Sequence, residues 1–194
     1  MLYHHILLAI LWILYGVLHS VMANLGFKSA VRKRTGKYYR YYRLFYTVFA
    51  AVSLVALVVY QLGIPGKYLF QPTFTTRIIG GVLLLAGLVL MAVCIKKYFA
   101  NLSGLKSLYQ ETPSSELMIT GIHRYMRHPL YTGTFLAIWG LWVIVPASTL
   151  LIADVVITVY TLLAIQLEEE KLVAEFGDQY RVYQQTVPGL IPRF

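Results

Sequence analysis

Five apolar runs, set apart by polar and mostly basic connections, organise the chain: residues 6–24, 44–63, 78–95, 130–145 and 147–167. Each approaches the ~20 residues that an α-helix needs to cross roughly 30 Å of hydrocarbon. The pattern predicts an all-α integral membrane protein with five transmembrane helices. Pro146 stands almost alone between the last two runs, so they are expected to form a tight helical hairpin. After residue 167 polarity rises, and Tyr180 and Tyr183, three apart, mark one face of a short cytoplasmic C-terminal helix. Residues 1–194 are expected to make a single membrane domain, with three helices in 1–95. Residues 96–194 would then form the ligand-binding region, with helices four and five and the tail.

Composition supports this reading. The 194 residues are 58% hydrophobic and 13% charged, with a mean hydropathy of +0.64. A soluble chain of this length carries about twice that charged fraction. The first residues, "MLYHH", lack the charged start of a cleavable signal, so the first run is expected to be retained.

The net charge of +9 takes its meaning from its distribution. Along the six segments that the five runs delimit, Lys and Arg number 0, 7, 2, 5, 0 and 3. That alternation follows the positive-inside rule for five crossings, with the N-terminus outside and the C-terminus cytoplasmic. The charge therefore belongs to topology and lipid contact, and nucleic acid is not expected as a partner. "KSAVRKRTGKYYRYYR" (28–43), basic and aromatic, suits an interfacial segment beside anionic headgroups. The one cysteine, Cys94, rules out an intrachain disulfide. Histidines 4, 5, 19, 123 and 128 share no ligand spacing with it, so no metal site is expected.

The chemistry gathers in "HRYMRHPLYTG" (123–133). From Pro129 to Pro146 is 17 residues, about 25 Å of helix, and from Pro146 to Glu168 is 22 residues, about 33 Å. Both ends of the hairpin should thus reach the cytoplasmic boundary together, carrying this cluster and "LEEEK" (167–171) into one pocket. Pro129 favours the first helical position and keeps His128 out of helical angles. The helix start, with its positive dipole end, then suits an anion. Arg127 adds a planar fork for a carboxylate or phosphate, and Tyr131 a π face for a cation. Gly133 permits close approach, and Glu168 and Glu169 accept hydrogen bonds from hydroxyls or an ammonium. A ligand with a carboxylate, an ammonium, hydroxyls, a flat base and a soft cation answers all of these, and S-adenosylmethionine has that set.

"GIHRYMRHPLYTG" followed by "LEEEKLVAEFGDQYRVYQQTVPGLIP" resembles the isoprenylcysteine carboxyl methyltransferase family, whose C-terminal half reads G-x-Y-x-x-x-RHP-x-Y-x-G, then a helical hairpin, then EE, FG, Y-x-x-Y and VP. The likeness runs from about residue 115 to 192. It implies cofactor contacts at Leu117, Met118, His123, Arg127, His128, Pro129, Leu130, Tyr131, Glu168 and Glu169, with Arg127 and Glu168 closest to catalysis. The implied activity is transfer of a methyl group from S-adenosylmethionine to a lipophilic acceptor, with the carboxylate of a prenylcysteine leading. Two positions depart from the pattern. His123 stands where the eukaryotic enzymes have tyrosine, and Ala164 stands where they carry the arginine associated with their lipid substrate. Phospholipid amines and small thiols are therefore alternative acceptors. A sterol-type membrane reductase using NADPH is the alternative enzyme, since RHP-x-Y-x-G occurs there too.

Outside this cluster, Asp154 and His19 lie deep in apolar runs and are expected to be satisfied by pairing, Asp154 with a tyrosine or with His19. The glycines of "IIGGVLLLAG" (78–87) permit close helix contact, and Cys94 is expected to serve packing.

Overall fold

The computed structural model describes residues 2–102 and 117–193, and every long element among them is helical. The order is α1 (Leu2–Ala23), α2 (Leu25–Thr35), a 3-10 turn (Gly36–Tyr41), α3 (Tyr42–Leu62), α4 (Phe74–Leu102), a second 3-10 turn (Gly121–Arg124), α5 (Pro129–Ile144), α6 (Ser148–Phe176) and α7 (Asp178–Thr186). Among the described residues four stretches are long and apolar enough to cross a membrane: Leu2–Ala23, Gly26–Leu62, Phe74–Lys96 and Ser148–Phe176. α5 is as apolar but has 16 residues, about 24 Å of helix. Large apolar side chains such as Ile10, Ile13, Val52, Val55, Val82 and Leu85 are at least half exposed. In water such a surface would aggregate, whereas against lipid tails it costs nothing. The chain is an integral membrane protein.

Two compact units divide the described residues. The first holds 2–67 and 98–102, the second 68–97 and 117–193. In the first, α1 packs on α3 through polar contacts set in apolar surroundings. Trp12 Nε1 donates to Gln61 Oε1 at 2.8 Å, both side chains buried. His19 pairs with the Tyr46 hydroxyl, Nε2 lying 2.7 Å away, so its expected satisfaction comes from tyrosine. The basic segment after α1 opens with the helix α2. Asn24 caps α2 by accepting from Gly26 N at 2.8 Å, and Arg32, Lys33 and Arg34 fill the last turn, where the helix dipole favours cations.

In the second unit, glycines bring α4 and α5 together. A Cβ on Gly87 would fall 2.5 Å from Ala137 N and 2.6 Å from Gly133 O. One on Gly140 would fall 2.5 Å from Leu84 N, and one on Gly80 2.7 Å from Gly140 O. Gly81, between them in sequence, faces open space. α6 follows α5 after Val145, Pro146 and Ala147, and Trp139 Nε1 of α5 donates to Thr158 Oγ1 of α6 at 3.1 Å. Leu69 N donates to Pro146 O at 2.9 Å and ties the start of this unit to that turn. Asp154 departs from expectation: it is buried in α6 and its Oδ2 has no hydrogen-bond partner among the described residues. Depth along a run was readable from the sequence. The rotation of the helix that selects a neighbour was not.

Candidate functional site

The site grows from three pieces of backbone in the second unit. The first is the loop before α5. Pro129 occupies the first helical position, and His128 takes φ −120° and ψ 60°, outside helical angles, as proline demands of the residue before it. The second is the end of α6, which at 29 residues runs about 43 Å and carries its glutamates past the apolar stretch. The third is the tail, which turns back at Gly177. With φ +58° and ψ −131° this residue adopts angles that a side chain resists, which is the physical reason for glycine in "FG". α7 then packs against the end of α6.

These pieces converge on the acidic pair, and the two glutamates differ. Glu169 is held by three donors. Arg127 Nε reaches its Oε1 at 2.7 Å, His128 Nε2 donates to the same oxygen at 2.8 Å, and Gln184 Nε2 donates to Oε2 at 3.0 Å. Arg127 also donates through Nη1 to the carbonyls of Gln184, at 3.0 Å, and Val187. Glu168 is different. Its side chain is 46% exposed, against 18% for Glu169, and the Tyr131 hydroxyl donates to its Oε2 at 3.0 Å. The rings of Tyr131 and His128 stack 5.7 Å apart with 26° between planes. His128 itself is buried, its Nδ1 lying 3.9 Å from Glu168 Oε2.

Backbone bonds fasten the tail to the loop. Arg127 N donates to Pro188 O and His128 N to Gly189 O, each at 2.9 Å, and Arg193 N donates to Tyr125 O at 3.2 Å. Thr132 Oγ1 donates to Leu190 O at 2.7 Å. From α7, the Tyr183 hydroxyl donates to His123 O at 2.6 Å. His123 Nδ1 in turn donates to Arg127 O at 3.2 Å, which fixes that ring's tautomer. Tyr180 is fully buried, and burial together with the nearby charge of Glu169 pushes its hydroxyl well above the usual tyrosine range. It is a packed, neutral phenol.

Of the residues read from the sequence, Arg127, His128, Tyr131, Glu168 and Glu169 meet directly. Pro129 is fully buried, and Leu130 is half-buried in the first turn of α5. His123 joins through the Arg127 carbonyl. Leu117 is half-buried and Met118 exposed, in a stretch without regular structure. Sequence reasoning missed Gln184 and Thr132, and it missed the carbonyls of residues 187–190 as acceptors. Pro188, which cannot continue α7, was the available signal for a tail that turns back. Among the described residues, no three His, Cys, Asp or Glu side chains gather to hold a metal ion.

A helical membrane protein with a polar site where α5 begins and α6 nears its end is the class that fold and geometry define. Residues 75–179 match the phospholipid methyltransferase family, and the chain belongs to this family of membrane methyltransferases. It is 33% identical over 195 residues to a methanethiol S-methyltransferase of Crocosphaera subtropica, covering 92% of this chain and 71% of that protein. A Mycobacterium tuberculosis protein of the same name is 31% identical, over 92% of this chain and 74% of its own length. A Schizosaccharomyces pombe protein-S-isoprenylcysteine O-methyltransferase is 38% identical over 78 residues, covering 39% of this chain and 33% of its own. No solved structure matches the chain. Family membership separates it from the nicotinamide-dependent reductases that share RHP-x-Y-x-G.

Proposed function

We propose that this protein transfers a methyl group from S-adenosylmethionine to a small thiol, at a cytoplasmic site built where α5 begins and α6 ends. The unequal acidic pair carries the reading: one carboxylate is locked into the protein and the other is offered outward beside two stacked rings. The residues present fit the methyl donor. Glu168 accepts hydroxyls or an ammonium, and the face of Tyr131 suits a sulfonium cation. Leu117, Met118 and Leu130 supply apolar lining, with Pro129 packed behind them, and His123 lies beyond Arg127. When bound, the donor supplies an electrophilic methyl group.

The work of the chain is then to hold, orient and keep water away. Arg127 is a positioning residue, acting through Glu169 and the tail carbonyls. A thiol acceptor must lose its proton for its sulfur to attack. Glu168, exposed and carrying a hydrogen bond from Tyr131, is the group placed to take it.

Two observations favour a thiol over the prenylcysteine carboxylate. The relatives that span most of this chain are named for methanethiol, and Ala164 replaces the arginine that the isoprenylcysteine resemblance associates with a lipid substrate. The prenylcysteine acceptor remains the second reading, supported by the yeast relative over the C-terminal stretch. Five crossings, α5 and α6 as a membrane hairpin, and division into three helices (1–95) and a cofactor-binding region (96–194) complete the proposal.

Purified protein incubated with methyl-labelled S-adenosylmethionine separates the acceptors. Label on methanethiol is expected, giving dimethyl sulfide. Label on a farnesylcysteine acid alone would install the second reading, and label on phosphatidylethanolamine alone would move the protein to phospholipid amines. Absence of S-adenosylhomocysteine binding together with absence of transfer would end the proposal.

A further inference from the structure

The basic segment that follows α1 takes no part in the site above, yet it lines a partly open cavity of about 350 Å³. Met22, Phe27, Val31, Tyr38, Tyr42 and Phe45 are among its walls, so its interior is apolar and aromatic. Cations sit over two of the rings that line it. Lys37 Nζ lies 5.3 Å from the centroid of Tyr38, and the Arg40 guanidinium lies 4.7 Å from that of Tyr41, with Nη2 donating to the Tyr41 hydroxyl at 2.6 Å.

The charge here is one-sided. Seven Lys and Arg fall between residues 28 and 43, while all eight Asp and Glu of the chain lie at residue 111 or beyond. Residues 1–110 therefore bring no side-chain carboxylate of their own to these cations.

An inorganic anion would satisfy Lys37 and Arg40 but leave the cavity unfilled. An apolar peptide would fill the cavity and leave the charge unanswered. One molecule abundant at a membrane interface carries both parts, a phosphate joined to acyl chains. We propose that α2, the 3-10 turn after it and the start of α3 form a site for a single anionic phospholipid, with its phosphate at Lys37 and Arg40 and an acyl segment in the cavity.

This is more specific than attraction of a basic segment to an anionic leaflet, which any of the seven cations would provide. A planar guanidinium matches phosphate oxygens in pairs, and the tyrosines beneath hold both cations in place.

The test is native mass spectrometry of the full chain released from nonionic detergent. The probes are phosphatidylglycerol, phosphatidylcholine with the same acyl chains, and glycerol phosphate. One phosphatidylglycerol per chain is expected to remain bound, and neither other probe. Replacing both Lys37 and Arg40 by alanine should reduce its retention at least about tenfold. Removing the same charge at Lys33 and Arg34 should leave retention intact. Val31→Trp, which fills the cavity and changes no charge, should also expel the lipid. The exchange Lys37→Arg with Arg40→Lys should keep it, showing that the segment tolerates substitution. Equal retention of phosphatidylcholine, binding of glycerol phosphate as tight as that of the lipid, equal loss in both alanine pairs, or no retained lipid would each overturn the proposal.

Discussion

Adjacent glutamates with identical chemistry end up with different work because of the atoms that face them. Glu169 spends both oxygens on Arg127, His128 and Gln184, so it joins three chain segments. Glu168 has Tyr131 as its hydrogen-bond donor and is nearly half exposed. Glu169→Gln is therefore expected to lower stability by about 1.5–3 kcal/mol, the cost of one charge-assisted hydrogen bond, read as a lower melting temperature. Glu168→Gln should leave melting unchanged within ~0.5 kcal/mol and weaken S-adenosylhomocysteine binding roughly tenfold or more. A reversed pattern would exchange their roles. Arg127→Lys keeps the charge and loses the planar fork that spans Glu169 and the carbonyls of Gln184 and Val187. It should melt earlier, as Glu169→Gln does. A loss of cofactor affinity with unchanged melting would instead mean that Arg127 meets the ligand.

At the scale of elements, the site depends on a contact that holds no chemistry. α5 presents Gly133, Ala137 and Gly140 to Gly80 and Gly87 of α4, and backbone meets backbone there. Small residues let membrane helices gain dispersion contact where no hydrophobic drive between them exists. Gly87→Val should thus be destabilising by at least about 1–3 kcal/mol, the usual cost of overpacking, and should reduce the yield of folded protein in detergent. Gly81→Val, on the same helix but facing open space, is the matched control and should be tolerated. Equal behaviour of the two variants would refute the close packing of α4 on α5. The tail follows a similar rule. Gly177 sets its direction, and carbonyls 188–190 complete the loop before α5 through main-chain and threonine donors.

For the molecule as a whole, orientation rests on the uneven distribution of its cations. Under the positive-inside rule, the counts 0, 7, 2, 5, 0 and 3 support the five crossings proposed above, α5 included although it has only 16 residues. Reporter tags at residues 1 and 194 are expected on opposite sides of the membrane, with the latter in the cytoplasm. Both tags on one side would mean that α5 does not cross, and four crossings would remain. The acceptor proposed above makes sense at this scale as well, since a small thiol can partition through lipid while the charged methyl donor arrives from the cytoplasm.

Periodicity, charge and proline placement were legible along the chain because they are local. Apolar runs announce helices, Pro129 announces where α5 begins, and counting residues through Pro146 places Tyr131 and Glu168 at one depth. The structure indeed brings them within 3.0 Å. α2 was not read as a helix, because its cations masked a cap at Asn24 that only backbone geometry displays. Nor could the chain tell Glu168 from Glu169, or pair His19 with Tyr46 while leaving Asp154 Oδ2 without a partner among the described residues. Neighbouring residues on a helix point about 100° apart, so their surroundings are settled by how each helix is rotated against its neighbours. That rotation comes from packing, Gly87 against Ala137 and Arg127 against the returning tail, and packing exists only once the chain has folded.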